Sequence, residues 1–231
     1  QYLVSGVTMG SIYALVALGF GIIYNATGII NFAQGEFVML GGMVMVSLVS
    51  AAGLPMWGGF LVSGLAVTLI GLAFERVLIR PVRQASVITL IVLTIGASIL
   101  IRTLAEQIWG TDALPLPSFS GEEPLRLGEC TVLPQSLWVM GVTALAVLGL
   151  SLFYSRTLVG KAMRACAINR RAAQLMGIAA PQMVGWSFAL AAGLGAIGGI
   201  IVAPITMTQF DIGVMLGLKG FCGAIIGGLG N

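Results

Sequence analysis

The chain has 231 residues, 58% hydrophobic and 8% charged, with a formal net charge of +3 and a mean hydropathy of +1.05. A soluble domain carries roughly 25% charged residues, so a soluble enzyme, a disordered tail and a secreted disulfide scaffold are excluded. The 33 glycines have no every-third-residue period, which excludes collagen. What remains is an all-α fold, a polytopic bundle of transmembrane helices forming one domain over residues 1–231.

A membrane helix needs about 20 apolar residues. In chain order the candidate spans are Val4–Tyr24, Phe37–Ala52, Trp57–Leu78, Val87–Arg102, Leu137–Ser155 and Met183–Val202. A seventh apolar segment, Gly213–Gly230, is rich in glycine and broken by Lys219. The chain opens on Gln1 without a basic leader and stops at Asn231 inside an apolar run, so further residues are expected beyond both ends.

The connections set the orientation. Glu75–Arg83 holds one acid and three arginines, −1 + 3 = +2. Thr103–Ser136 holds Glu106, Asp112, Glu122, Glu123 and Glu129 against Arg126, −5 + 1 = −4. Arg156–Arg171 holds five basic residues and no acid, +5. Basic loops stay in the cytoplasm. Residues 103–136 are therefore predicted as an external loop, 156–182 as a cytoplasmic loop, and the N-terminus as external. The external loop also carries Pro115, Pro117, Pro124 and Pro134 with Gly121 and Gly128, which punctuate turns.

Four segments carry further information. In Asn25–Gly42 (NATGIINFAQGEFVMLGG), polar residues separate two apolar stretches. Gly28 and Gly35 are the expected helix breaks, and freed backbone groups in lipid must line a cavity or be covered by protein. A plain cytoplasmic turn is the competing reading. In Gly160–Gly177, Arg164, Ile168, Arg171 and Leu175 mark one amphipathic helix, favoured by its alanines and ended by Gly177. Such a helix either docks in a partner's groove or lies on anionic lipid. Gly6/Gly10, Gly195/Gly199 and Gly223/Gly227 have the spacing of close helix contacts. Finally, Thr206, Thr208, Gln209 and Asp211 follow a span, with Lys219 eight residues beyond Asp211.

The three cysteines, Cys130, Cys166 and Cys222, are scattered and odd in number, which fits neither a disulfide framework nor a metal site. With no histidine, the usual nucleophile–histidine pairs are missing. No GxxxxGK[ST] loop occurs, so ATP is not bound in that manner.

Three blocks carry a family resemblance: GSIYALVALGFGIIYNATGIINFAQGEFVMLGG at 10–42, GKAMRACAINRRAAQLMGI at 160–178 and GLKGFCGAIIGGLGN at 217–231. In this order they resemble the permeases of branched-chain amino-acid ABC transporters. Urea and short-amide permeases are similar, so the blocks leave the ligand open among branched-chain amino acids and related small amides or zwitterions. The resemblance implies a non-enzymatic permease subunit of a bacterial inner-membrane importer working by alternating access. Its implied partners are a second, related permease, two cytoplasmic ATPases that use the ATP, and an external substrate-binding protein. Neither a bound cofactor nor nucleic acid is expected, and members of the family run past this C-terminus.

The basic loop would then be the segment that couples to the ATPase, through Arg164, Arg171, Ala172, Ala173 and Gly177. Importers share a Glu-Ala-Ala-x-x-x-Gly pattern there, and Arg171 stands where the glutamate would be. Asn31, Gln34, Thr206, Thr208 and Gln209, the polar residues nearest the spans, are the pathway candidates. The alternative is an ion-coupled secondary transporter or channel. Such carriers show ionisable groups within their spans, and Glu36, Asp211 and Lys219 are expected near segment edges.

Overall fold

A computed structural model describes residues 2–121, 123, 125–127 and 130–229. Of the loop residues weighed above, Glu122, Pro124, Gly128 and Glu129 lie outside these, as do Gln1, Gly230 and Asn231.

Apolar composition along whole segments, rather than one apolar stripe, makes the helices. Among the described residues six runs are long and apolar enough to cross a membrane. They contain α1 (Tyr2–Thr27), α2 (Gln34–Val46), α3 (Met56–Phe74), α5 (Val87–Trp109), α6 (Pro134–Arg156) and α9 (Ala180–Thr206). A π-turn at Ser47–Ala51 extends α2, and one at Glu75–Ile79 joins α3 to the short α4 (Arg80–Val82). The helix α7 (Leu158–Ile168) and the single turn α8 (Arg170–Leu175) fill the basic loop, and α10 (Ile212–Ile226) is a shorter apolar helix. A small hairpin, β1 (Leu125–Leu127) and β2 (Cys130–Val132), lies in the acidic loop.

The predicted spans hold, with extended ends. The predicted external loop is shorter than expected, because α5 continues through Thr103–Trp109 and the connection begins at Gly110. Arg102, expected as the last residue of its span, therefore sits inside the helix. The basic loop is also not one helix. It breaks at Asn169, which leaves helical geometry and caps α8 by accepting a hydrogen bond from the Ala172 amide at 3.0 Å.

The ends of the bundle agree with the charge rule. Thr27, Arg80, Arg83, Arg170 and Pro181 line one cavity, so both basic loops and the end of α1 share a face. At the other end Leu114 of the acidic loop pairs with Thr208 beyond α9. Trp57, Phe119 and Trp138 cluster near the same end, with ring centroids 5.4–6.1 Å apart, as aromatics do at a membrane boundary. The N-terminus of α1 thus lies at the end of the bundle opposite the basic loops.

Both α2 and α9 sit at the centre, with most residues buried. Their contact depends on Gly199 and Gly195, because a Cβ on Gly199 would collide with the Val38 carbonyl and one on Gly195 would press on Phe37. This is the small-residue packing expected in lipid, where close approach replaces a hydrophobic driving force. Gly6 and Gly10, of the same spacing, have nothing within 4 Å within the chain. Ser63 Oγ donates to the buried Gly41 carbonyl at 2.9 Å and ties α3 to the same pair.

Two outcomes are expected. Gly199→Ala should destabilise the detergent-solubilised protein by about 1–3 kcal/mol through overpacking, measured as a lower thermal midpoint. Gly64→Ala, with nothing within 4 Å, should not lower it. In intact cells a membrane-impermeant maleimide should label an Asp112→Cys protein above the native cysteine background, while Arg171→Cys stays at background until the membrane is opened.

Candidate functional site

The polar run after α1 turns back into the membrane. Gly28, at φ +74, ends α1 in the left-handed region, and its amide donates to the Tyr24 carbonyl at 2.7 Å. The chain then climbs without helix. The Phe32 amide donates to Thr94 Oγ1 on α5 at 3.3 Å. Asn31 Oδ1 takes the Ala33 amide at 3.1 Å, and the Asn31 carbonyl takes the Gln34 amide. Gln34 Nε2 donates to the Ala191 carbonyl at 2.9 Å. Ala191 lies eleven residues into α9, about 17 Å from its cytoplasmic end at 1.5 Å per residue. The whole of α9 spans about 40 Å on that measure, so α2 starts near mid-depth.

A second segment enters from the other side. Beyond α9 the chain passes Met207, at φ 60, and Thr208, which packs on Gly42 of α2. It descends along α2 to Gly213, where α10 has begun. A Cβ on Gly35 would collide with the Gly213 carbonyl, and Gly217 also packs on Gly35. Two helix starts thus abut inside the bilayer. Gly35 is inside the first turn of α2, not at a break; its lack of a side chain serves this approach. Of the two expected break positions, only Gly28 is one.

Glu36 stands at this junction and is 1% exposed. Ser98 Oγ on α5 donates to its Oε1 at 2.7 Å. Its Oε2 has no hydrogen-bond partner and lies beside Gly213, whose added Cβ would sit 3.1 Å away. A carboxylate in the first turn of α2, against the start of α10, is favoured by the partial positive charge of helix N-termini. Arg102 and Asp211 are the charged side chains whose field reaches it. Glu36, Ser98, Arg102, Gly213 and Gly217 line one cavity of about 370 Å³, walled mainly by Phe20, Phe32, Ile95, Ile99, Val214, Leu218 and Phe221. Glu36 thus lies at the edge of its segment, as expected, but that edge is buried inside the bundle.

The predicted pathway residues divide. Asn31 and Gln34 are fully buried beside Glu36 in sequence, and Asn31 Nδ2 and Gln34 Oε1 have no hydrogen-bond partner. Thr206, Thr208 and Gln209 belong to the outer end: Thr206 Oγ1 donates back to the Val202 carbonyl, Thr208 pairs with Leu114, and Gln209 is exposed. The two groups are not brought together. Sequence reasoning missed Ser98 and Arg102, whose place on the Glu36 side of α5 only the packing reveals. Lys219 is exposed, with Nζ 5.7 Å from the Tyr13 ring centroid.

On the cytoplasmic face, Arg164 donates to the Tyr154 carbonyl at 2.6 Å, pinning α7 to the end of α6. Ala173 faces inward and is buried, whereas Arg171 and Ala172 are exposed. Gly177, at φ +83, closes α8: its amide reaches the Gln174 carbonyl and the Ile178 amide reaches the Ala173 carbonyl. Ile168, Leu175 and Met176 stand 87%, 89% and 83% exposed. Burial pushes the Cys166 thiol up, with Arg170 acting against it, so this cysteine is not an activated nucleophile.

The chain matches, over residues 2–231, the family model described as the permease component of branched-chain amino acid transport systems. It is 32% identical over 248 residues to the high-affinity branched-chain amino acid transport system permease protein LivH of Escherichia coli, covering 100% of this chain and 79% of that protein. LivH of Salmonella typhimurium shows the same identity and coverage. BraD of Pseudomonas aeruginosa, a permease protein of the same description, is 31% identical over 244 residues, covering 100% of this chain and 80% of that protein. No solved structure matches the chain. A family match along the described length, six spans and full-length relatives lead to one conclusion: this chain belongs to the permease family of branched-chain amino acid transport systems, multi-pass proteins of the bacterial inner membrane.

Proposed function

We propose that this chain is the membrane-spanning subunit of an ATP-binding-cassette importer that moves branched-chain amino acids inward by alternating access. ATP hydrolysis takes place on two separate cytoplasmic ATPases, an external binding protein delivers the substrate, and a second, related permease completes the path. The observation that carries this reading is the cytoplasmic segment α7–α8. It presents Ile168, at the end of α7, and Leu175 and Met176, between Arg171 and the Gly177 turn, to solvent. Three apolar side chains at such exposure on one basic segment suit a partner's groove.

Each named residue then has a part in the coupling. The inward Ala173 seats α8 on its own bundle, so a push on α8 is passed to the bundle. Ala172 and Arg171 face the partner. Gly177 fixes the turn that aims Leu175 and Met176 outward. Arg164 anchors α7 to α6.

The test is the double substitution Leu175→Asp, Met176→Asp in the reconstituted importer. Losing even one apolar anchor costs about 1.5 kcal/mol or more, roughly tenfold in affinity. ATPase association should weaken at least that much, and uptake should fall with it, while the permease pair stays assembled. Gly177→Val should lower coupled hydrolysis as well, since a β-branched residue is strained at that φ. Wild-type association and uptake in both variants would remove the coupling assignment and favour α7–α8 as a lipid-surface segment.

A further inference from the structure

We propose that the cavity at the junction of α1, α2, α5 and α10 is a binding site for an amino-acid zwitterion, with Glu36 receiving the ammonium group and Arg102 the carboxylate. This rests on the reading of the chain as an amino-acid permease and gives that reading a site.

The argument starts from Glu36. Its side chain is 1% exposed, yet only one of its two oxygens is used within the chain. A buried carboxylate oxygen without a donor is costly unless a cation or donor completes it. Glu36 lines a space of about 370 Å³, within the range of small-molecule sites, and its unused Oε2 is buried at the Gly213 side of that wall. An ammonium group brings three N–H donors to that oxygen. Arg102 lines the same cavity from α5, and a guanidinium takes a carboxylate through two parallel hydrogen bonds. The remaining wall is aromatic and aliphatic, from Phe20, Phe32, Ile95, Ile99, Val214 and Phe221. A ligand with one charge of each sign and a branched apolar side chain satisfies all three parts. A lone cation leaves Arg102 and the apolar wall unused. A free carboxylic acid leaves Oε2 unpaired. Gly213 and Gly217 line the α10 side of the cavity, and Ser98 occupies Oε1 and leaves Oε2 for a ligand.

The test uses the purified, full importer carrying Ile99→Cys, with alkylation of that residue followed by mass spectrometry. Leucine should slow alkylation at least tenfold at saturation. Isopentylamine, which lacks the carboxylate, and 4-methylpentanoate, which lacks the ammonium, should need more than tenfold higher concentration. Adding Glu36→Gln should raise the leucine concentration for half-protection more than tenfold, and Arg102→Met should do the same. Equal protection by isopentylamine and leucine would reduce the site to a cation site and overturn the proposal. No protection by leucine with Glu36 and Arg102 intact would overturn it too, whatever the double variants do. Uptake of radiolabelled leucine in proteoliposomes of the same preparation separates the two claims. Uptake without protection removes this site and leaves the permease reading. Protection without uptake leaves the site and removes the permease reading.

Discussion

The structure depends on one close approach, the contact of Gly35 with Gly213. Neither residue has room for a Cβ there. Because the backbones meet, the starts of α2 and α10 can share one depth in the bilayer. Each helix start carries unpaired amides and a partial positive charge. Hydrocarbon cannot satisfy those groups, so protein must surround them. That surrounding is supplied by α1, α5 and α9, and the carboxylate of Glu36 is placed where the two positive ends meet.

Two chain segments reach this point in the same way from opposite faces. From the cytoplasmic side come α1, the Gly28 cap, residues 29–33 and α2. From the external side come α9, Met207–Asp211 and α10. Paired broken helices of this kind put polar backbone near the centre of a membrane protein without exposing it to lipid. Between them α9 is the common scaffold: Gln34 bonds to Ala191, and Gly199 seats α2. A bundle built this way holds a rigid centre while α5, with many exposed residues, remains available to a neighbouring subunit.

The legible part of the fold was what local composition encodes. Span positions follow from apolar length, so each appeared within a few residues. The positive loops fall at one end of the bundle, and of the two glycines in the polar run Gly28 marks a break while Gly35 serves a close approach. The α7–α8 segment is helical as expected, but its break at Asn169 was hidden among good helix formers, since the cap is one side-chain hydrogen bond. The site was less legible. The reach of α5 past Arg102 is carried by Thr103–Trp109, which contains Glu106 and Gln107 and so looked like loop. Glu36 is an edge residue of α2, but the burial of that edge was not legible, because depth is a tertiary quantity that depends on how far residues 29–33 climb. Thr206, Thr208 and Gln209 have the same composition signal as Asn31 and Gln34 but end at the external face. Family membership was read from three sequence blocks, the first of which holds Gly35 and the third Gly217, which packs on it.

The most direct measurement of this account is a cryo-electron-microscopy map of the assembled importer in a lipid nanodisc with leucine present. The account predicts that α2 begins at mid-bilayer with Gly35 against Gly213, and that density for a small ligand lies between Glu36 and Arg102. A map in which α2 runs unbroken to the cytoplasmic boundary, with Gly35 and Gly213 apart and the carboxylate of Glu36 facing the cytoplasm, would contradict it.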